Sequence, residues 1–182
     1  MKRLFYLVVV LQLLFLVAQA ANNEIALRAA DIVYLRMVPV DPRSLFMGNY
    51  MDLNYDISSI DLSHVRVLGS RSNYNCYNAT IFAGLRPSKP FAKLVAVSNR
   101  MPSNPSGLVW LRGTVSETRD HNPRIEYGLE RYYIPEGKED EVARLPWGRE
   151  GRQRQITVEV AVRGDGTGFI RKVLVDGKPL PF

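Results

Sequence analysis

Six residues between positions 126 and 136 carry the densest chemistry in the chain: Glu126, Glu130 and Glu136 interleaved with Tyr127, Tyr132 and Tyr133. Carboxylates beside aromatic rings are a combination that grips a sugar or a peptide. The plainer alternative is a set of strand residues with exposed charges, the tyrosines keeping one end wet. Asp52, Asn54 and Asp56 align oxygen ligands along one strand face and could hold a divalent cation loosely. A solvated face of a half-exposed strand gives the same pattern. His64 and His121, in unrelated loops with the single Cys76, fall short of the clustered ligands a transition metal requires, so no cofactor is expected. Cys76 reads as a small buried apolar residue. No Gly-x-Ser-x-Gly elbow and no phosphate loop occurs. A Ser-Lys pair drawn from Ser44 and either Lys89 or Lys93 is the remaining nucleophilic option. Arg149, Arg152 and Arg154 around Trp147 form a basic cluster suited to anionic headgroups or envelope polymers, or simply a solvated loop.

These residues need elements to position them, and the stretch from Pro39 to Tyr55 is where the elements are most legible. Asp41 is suited to cap a helix start, Pro42 to the first helical position, and Gly48 to the left-handed conformation that closes a turn. Beyond Gly48, Met51, Leu53, Tyr55 and Ile57 alternate with Tyr50, Asp52, Asn54 and Asp56. That period of two predicts a half-buried strand, with Leu53 and Tyr55 toward a core and Tyr50 and Arg43 toward the exposed side.

The spacing Gly48-Asn49-Tyr50-x-x-Leu53-x-Tyr55, preceded by Pro39-Val40-Asp41-Pro42-Arg43, resembles the bacterial GDYXXLXY family, with Asn49 where the family carries Asp. The resemblance continues through Trp110-Leu111-Arg112-Gly113, Tyr127-Gly128-Leu129-Glu130, Tyr133 to Gly137 and Val175 to Leu180. It implies a membrane-anchored envelope protein whose partner is an integral, multi-pass membrane protein, with no active site to carry over. On that basis Arg43, Tyr50, Arg112, Tyr127 and Glu130 are the candidate functional surface, and Asp41, Pro42, Gly48, Leu53 and Tyr55 the structural part of the motif.

The N-terminus states where such a domain would sit. Lys2 and Arg3 precede an apolar run from Leu4 to Ala20 interrupted only by Gln12 and Gln19. A cleaved signal peptide fits the small residues Ala18 and Ala20 ahead of a cut before Ala21. A retained single-pass anchor fits the length of the run better, because signal centres span roughly 7–15 residues. Either way the basic start holds the N-terminus in the cytoplasm and places the rest outside, and the retained anchor, as the resemblance implies, would keep it at the inner membrane. The net charge of +6 points to anionic partners, and the outside location argues against nucleic acid.

The remaining chain reads as strands. Ile32 to Val38 is expected to be the first, Val65 to Leu68 and Ala79 to Ala83 short ones, and Phe91 to Ser98 with Val109 to Ser116 a hairpin. Ile125 to Tyr127 and Tyr132 to Ile134 are short extended pieces, and Gly137 to Leu145 is a helix candidate ended by Pro146. Ile156, Val158, Val160 and Val162, then Asp165-Gly166, then Phe169 to Val175 make a hairpin, and Asp176-Gly177 turns the chain once more. The expected architecture is mainly β: residues 1–30 a transmembrane anchor, and residues 31–182 one barrel-like or sandwich domain with one short helix. The expected task is binding or assembly beside a membrane protein, the alternative being a peptidase-like or polymer-acting enzyme.

Overall fold

The computed structural model describes residues 2–38, 50–69, 74, 76–103, 107–119, 122–138 and 154–180. The chain divides into two compact units, Met1–Ala30 and Asp31–Phe182. The first holds one helix, α1 (Lys2–Arg28), whose 27 residues reach about 40 Å at the usual helical rise. Its side chains from Leu4 to Val17 are apolar on nearly every face, so it is long and apolar enough to cross a membrane or to act as a signal sequence. Glu24 and Arg28, four residues apart, pair at 2.9 Å in its last turns.

The second unit is built from strands. One antiparallel sheet has the order β1 (Asp31–Arg36), β9 (Ile156–Val162), β10 (Gly168–Val175), β11 (Lys178–Pro179). A second has the order β3 (Arg66–Leu68), β5 (Lys93–Ser98), β4 (Thr80–Arg86), β6 (Val109–Arg119), β7 (Asn122–Glu126), with β3 parallel to β5. A two-strand ribbon pairs β2 (Tyr50–Asp52) with β8 (Arg131–Tyr133). Single bridges stitch these pieces together: Met37, just past β1, pairs with Tyr55, and Ser59 pairs with Arg124 of β7. The segment from Leu53 to Ser59 therefore forms a seam between the two large sheets, and the sheets do not close into a barrel. Val33, Leu35, Ile81, Leu111, Ile125 and Val160 belong to one apolar core fed by both sheets.

The hairpin expected between residues 91–98 and 109–116 does not form, because β4 lies between β5 and β6 and pairs with both. Glycine makes this placement possible. A Cβ on Gly84 would lie 2.8 Å from the Trp110 ring, so only a bare backbone lets β6 carry that indole across β4. The C-terminal hairpin is as expected, and the second turn has Asp176 at φ 51° and Gly177 at φ 79°, the type I′ pattern that matches strand twist. The motif alternation also holds, with Met51, Leu53, Tyr55 and Ile57 all buried. The strand itself stops at Asp52, and Asp56–Ser58 is a 3-10 turn rather than a continuation. Cys76 is exposed, not buried, because it enters a turn ahead of β4 in which Asn78 takes φ 61°. The expected cap and turn residues Asp41, Pro42 and Gly48 lie outside the described residues, as does the helix candidate beyond Lys138. Its first residues form a turn, closed by the Lys138 N–H donating to Pro135 O at 3.2 Å.

Candidate functional site

The motif and the Tyr127–Glu130 loop are far apart in sequence and clasp each other in space. The Leu53 N–H donates to Glu130 O at 2.6 Å, and the Tyr55 hydroxyl donates to Leu129 O at 2.6 Å. The loop is tied to itself by the Tyr127 N–H, which donates to Glu130 Oε1 at 2.5 Å. It is tied to the 3-10 turn by the Tyr127 hydroxyl, which donates to Ile57 O at 2.8 Å. Gly113 on β6 leaves room for this arrangement, since a Cβ there would meet Ile125 Cγ2 at 2.5 Å and Tyr127 Cδ1 at 2.9 Å. Burial, reinforced by the charge of Glu130, pushes both tyrosine hydroxyls far above the ordinary phenol range.

Tyr127 is therefore a core residue with a hydrogen-bonding role, not part of an exposed surface. The alternation Pro123, Ile125, Tyr127 buried against Arg124, Glu126 exposed is the signal that would have placed it there. Arg112 is exposed but distant in topology from the motif: its N–H donates to Gly166 O at 2.8 Å, seating the tip of the β9–β10 hairpin on β6. At that tip Asp165 accepts from the Thr167 N–H at 3.0 Å, which holds its carboxyl below the usual range, with Arg163 and Arg112 adding to the effect. Arg43 lies outside the described residues.

What the clasp creates is a cleft at the seam. Its volume is about 480 Å³, and its walls are Asp52 and Asn54 from the motif, Arg124 and Glu126 from β7, and Glu130 and Arg131 around the start of β8. Ser58, also in the lining, is 3% exposed, and its Oγ has no hydrogen-bond partner among the described residues. Sequence reasoning gave no hint of Ser58, because nothing in a lone serine signals that a bridge will bury it. The Arg124 Nη2 donates to Asn54 Oδ1 at 3.3 Å, so one guanidinium is oriented across the cleft. A second cleft of about 410 Å³ shares Arg124 and continues past Ser59, Asp61, Glu117 and Asn122.

Beside the cleft, the outer face of the β2–β8 ribbon carries four side chains in register, Tyr50 opposite Tyr133 and Asp52 opposite Arg131. The two rings stand edge to face at 6.3 Å, and the Arg131 guanidinium lies 5.5 Å from the Tyr50 ring centre. Tyr133 is 73% exposed, an unusual position for so large a ring. The carboxylate and tyrosine cluster thus splits. Glu126 and Glu130 face the cleft, Tyr133 faces solvent, Tyr132 packs partly against the core, and Glu136 is exposed in a turn.

The other candidate groups separate as well. Asp52 and Asn54 share the seam cleft, whereas Asp56 turns away into a third cleft with Arg36, Ser88, Lys89 and Lys93. Burial pushes the Asp56 carboxyl upward there, partly offset by the Ile57 N–H and by Arg36. Lys89 and Lys93 are exposed, the Ser88 hydroxyl donates to Phe91 O, and Ser44 lies outside the described residues. His64 binds Asp61 through Nδ1 at 2.8 Å in an exposed turn, and no group of three His, Cys, Asp or Glu suited to a metal occurs among the described residues. Arg154 pairs with Asp176 at 3.7 Å, while Trp147, Arg149 and Arg152 lie outside the described residues.

A family model described as GDYXXLXY protein matches residues 12–173. No curated protein and no solved structure matches the chain.

Proposed function

We propose that this chain, which belongs to the GDYXXLXY family, is a membrane-anchored binding or assembly component acting outside the cytoplasm beside an integral membrane protein. The α1 helix retains the chain at the inner membrane, and the β unit presents the contact surface. The observation that carries the reading is the ribbon. The motif's buried positions form a clasp, and its outward, half-buried positions Tyr50 and Asp52 join the exposed Arg131 and Tyr133 of β8 in one surface patch. Aromatic rings with arginine are the residues that anchor protein contacts, the rings because they bury large area for little lost side-chain freedom and the guanidinium because it adds directional hydrogen bonds.

The test places a photo-crosslinking phenylalanine analogue at position 133 and irradiates intact membranes. A discrete adduct with an integral membrane protein is expected, and Arg131→Ala should remove it while leaving the thermal transition in place. An irradiated chain that forms no adduct, or one unaffected by Arg131→Ala, overturns the assignment. Alkaline carbonate extraction separately tests the anchor: the protein should stay with the membranes, and release with a new N-terminus at Ala21 would identify α1 as a cleaved signal.

A further inference from the structure

The seam cleft has a composition that selects among ligands. Its two apolar lining residues, Leu53 and Ile125, are 2% and 0% exposed, so they offer almost no apolar surface to an occupant. The charged groups it presents are of both signs, and its apolar surface comes from their side-chain stems and the backbone rather than from whole apolar residues. Asp52, Glu126 and Glu130 are set against Arg124 and Arg131, a near balance within a chain of net charge +6. None of Asp52, Glu126 and Arg131 forms an ion pair with another described residue. An anionic polymer would meet three carboxylates, and a large apolar peptide side chain would find no pocket walled by apolar side chains. A polyhydroxylated neutral molecule meets neither obstacle, because each hydroxyl both donates to a carboxylate and accepts from a guanidinium or amide.

Two further features point the same way. The Ser58 Oγ, buried in the cleft lining without a partner among the described residues, costs stability where it stands, and a turn of its side chain toward the cleft would let it bond a ligand hydroxyl in either direction. Tyr133, on the same face of β8 as the cleft residue Arg131, holds an exposed ring on which the apolar face of a sugar can lie. The second cleft extends the polar path past Arg124 by way of Asp61, Glu117 and Asn122, giving a groove longer than a single ring would need. We infer that the seam cleft between the motif and β7 binds a neutral oligosaccharide, with Ser58, Asn54, Arg124 and Glu126 as its polar contacts and Tyr133 as its stacking platform.

This rests on the reading of the chain as an extracytoplasmic binding component, but the crosslinking test is read without any glycan. A chain that crosslinks to its neighbour and ignores sugars refutes only the present inference. The experiment immobilises the detergent-solubilised full chain at high density on a column and reads the retention of neutral and acidic oligosaccharides as delayed elution, followed by titration calorimetry with any glycan retained. Retention of neutral glycans is expected, with dissociation constants on the order of 1 mM, as befits a shallow polar site. Ser58→Ala should weaken binding roughly fivefold to tenfold for the loss of one hydrogen bond while leaving the fold intact, since it deletes an unsatisfied buried oxygen. Glu126→Gln, at an exposed position, supplies an independent variant with the same expected direction. Retention of acidic glycans alone, retention of none, or affinities unchanged in both variants overturns the inference.

Discussion

Replacing Tyr55 by Phe isolates the clasp from the core. The ring is 2% exposed and would keep its packing, so the change removes one group, the hydroxyl that donates to Leu129 O at 2.6 Å. Leu129 is itself buried, at 3% exposure, and its carbonyl would be left facing a phenyl edge. An acceptor stranded this way costs about 1–3 kcal/mol, whereas truncating the whole side chain to Ala would cost about 3–5 kcal/mol. For a unit the size of Asp31–Phe182, each kcal/mol moves Tm by roughly 2–4 °C, so a fall on the order of 6 °C is expected. The measurement is thermal unfolding of the detergent-solubilised chain, followed by the near-ultraviolet signal of its aromatic residues. Tyr127→Phe, which strands Ile57 O in the same manner, should behave alike. If both variants melt within about 1 °C of the parent, far less than an unsatisfied buried acceptor costs, the two hydroxyls do not hold the seam and the clasp is wrong.

Gly113→Ala should destabilise by about 1–3 kcal/mol through overpacking, because its Cβ would fall 2.5 Å from Ile125 Cγ2 and 3.0 Å from Glu126 O; urea titration against the parent reads it, and an unchanged midpoint contradicts the close approach. The pH dependence follows from Tyr55 and Tyr127. Their hydroxyls are raised above the unfolded value of 10.0, so their contribution is whole below that pH and is lost as pH climbs beyond it toward the folded values. Stability should therefore fall steeply above about pH 10, and less steeply in Tyr55→Phe, with equal slopes refuting the assignment. Cys76, exposed in its turn, should be labelled by a maleimide in the native chain without denaturant, and Cys76→Ser should melt close to the parental temperature; a native thiol labelled only in urea would contradict its exposure.

The sequence was most readable where one face of a strand alone decides the outcome. Met51, Leu53, Tyr55 and Ile57 announce their burial by alternation, and the turns at Asp165-Gly166 and Asp176-Gly177 announce theirs by chemistry. Pairing partners were not readable in the same way. Whether β5 meets β6 or lets β4 between them depends on a contact between Gly84 and Trp110, distant in sequence and matched only in space. The candidate site was half legible for the same reason. Tyr50 and Glu130 could be named from the motif and its companion loop, and Asp52 and Asn54 from the strand alternation, while Arg124 and Ser58 acquire meaning only once Ser59 pairs with Arg124. Tyr127 was misread because a tyrosine among glutamates looks wet, although its own strand pattern says otherwise.

The pairing of β1 with β9 sets a clock on the birth of the molecule. Asp31 lies opposite Val162 and Arg36 opposite Thr157, so the first strand to leave the ribosome waits for nearly the last. At about 5–20 residues per second that wait is on the order of ten seconds. During it Val33 and Leu35, among the most deeply buried residues of the finished molecule, have no sheet to join. The β4, β5 and β6 sheet can assemble in the meantime, since its strands follow one another closely along the chain. Completion of the fold is thus a late event, governed by the arrival of residues 156–175, and a chain terminated before Ile156 leaves β1 an unpaired apolar edge tethered to α1.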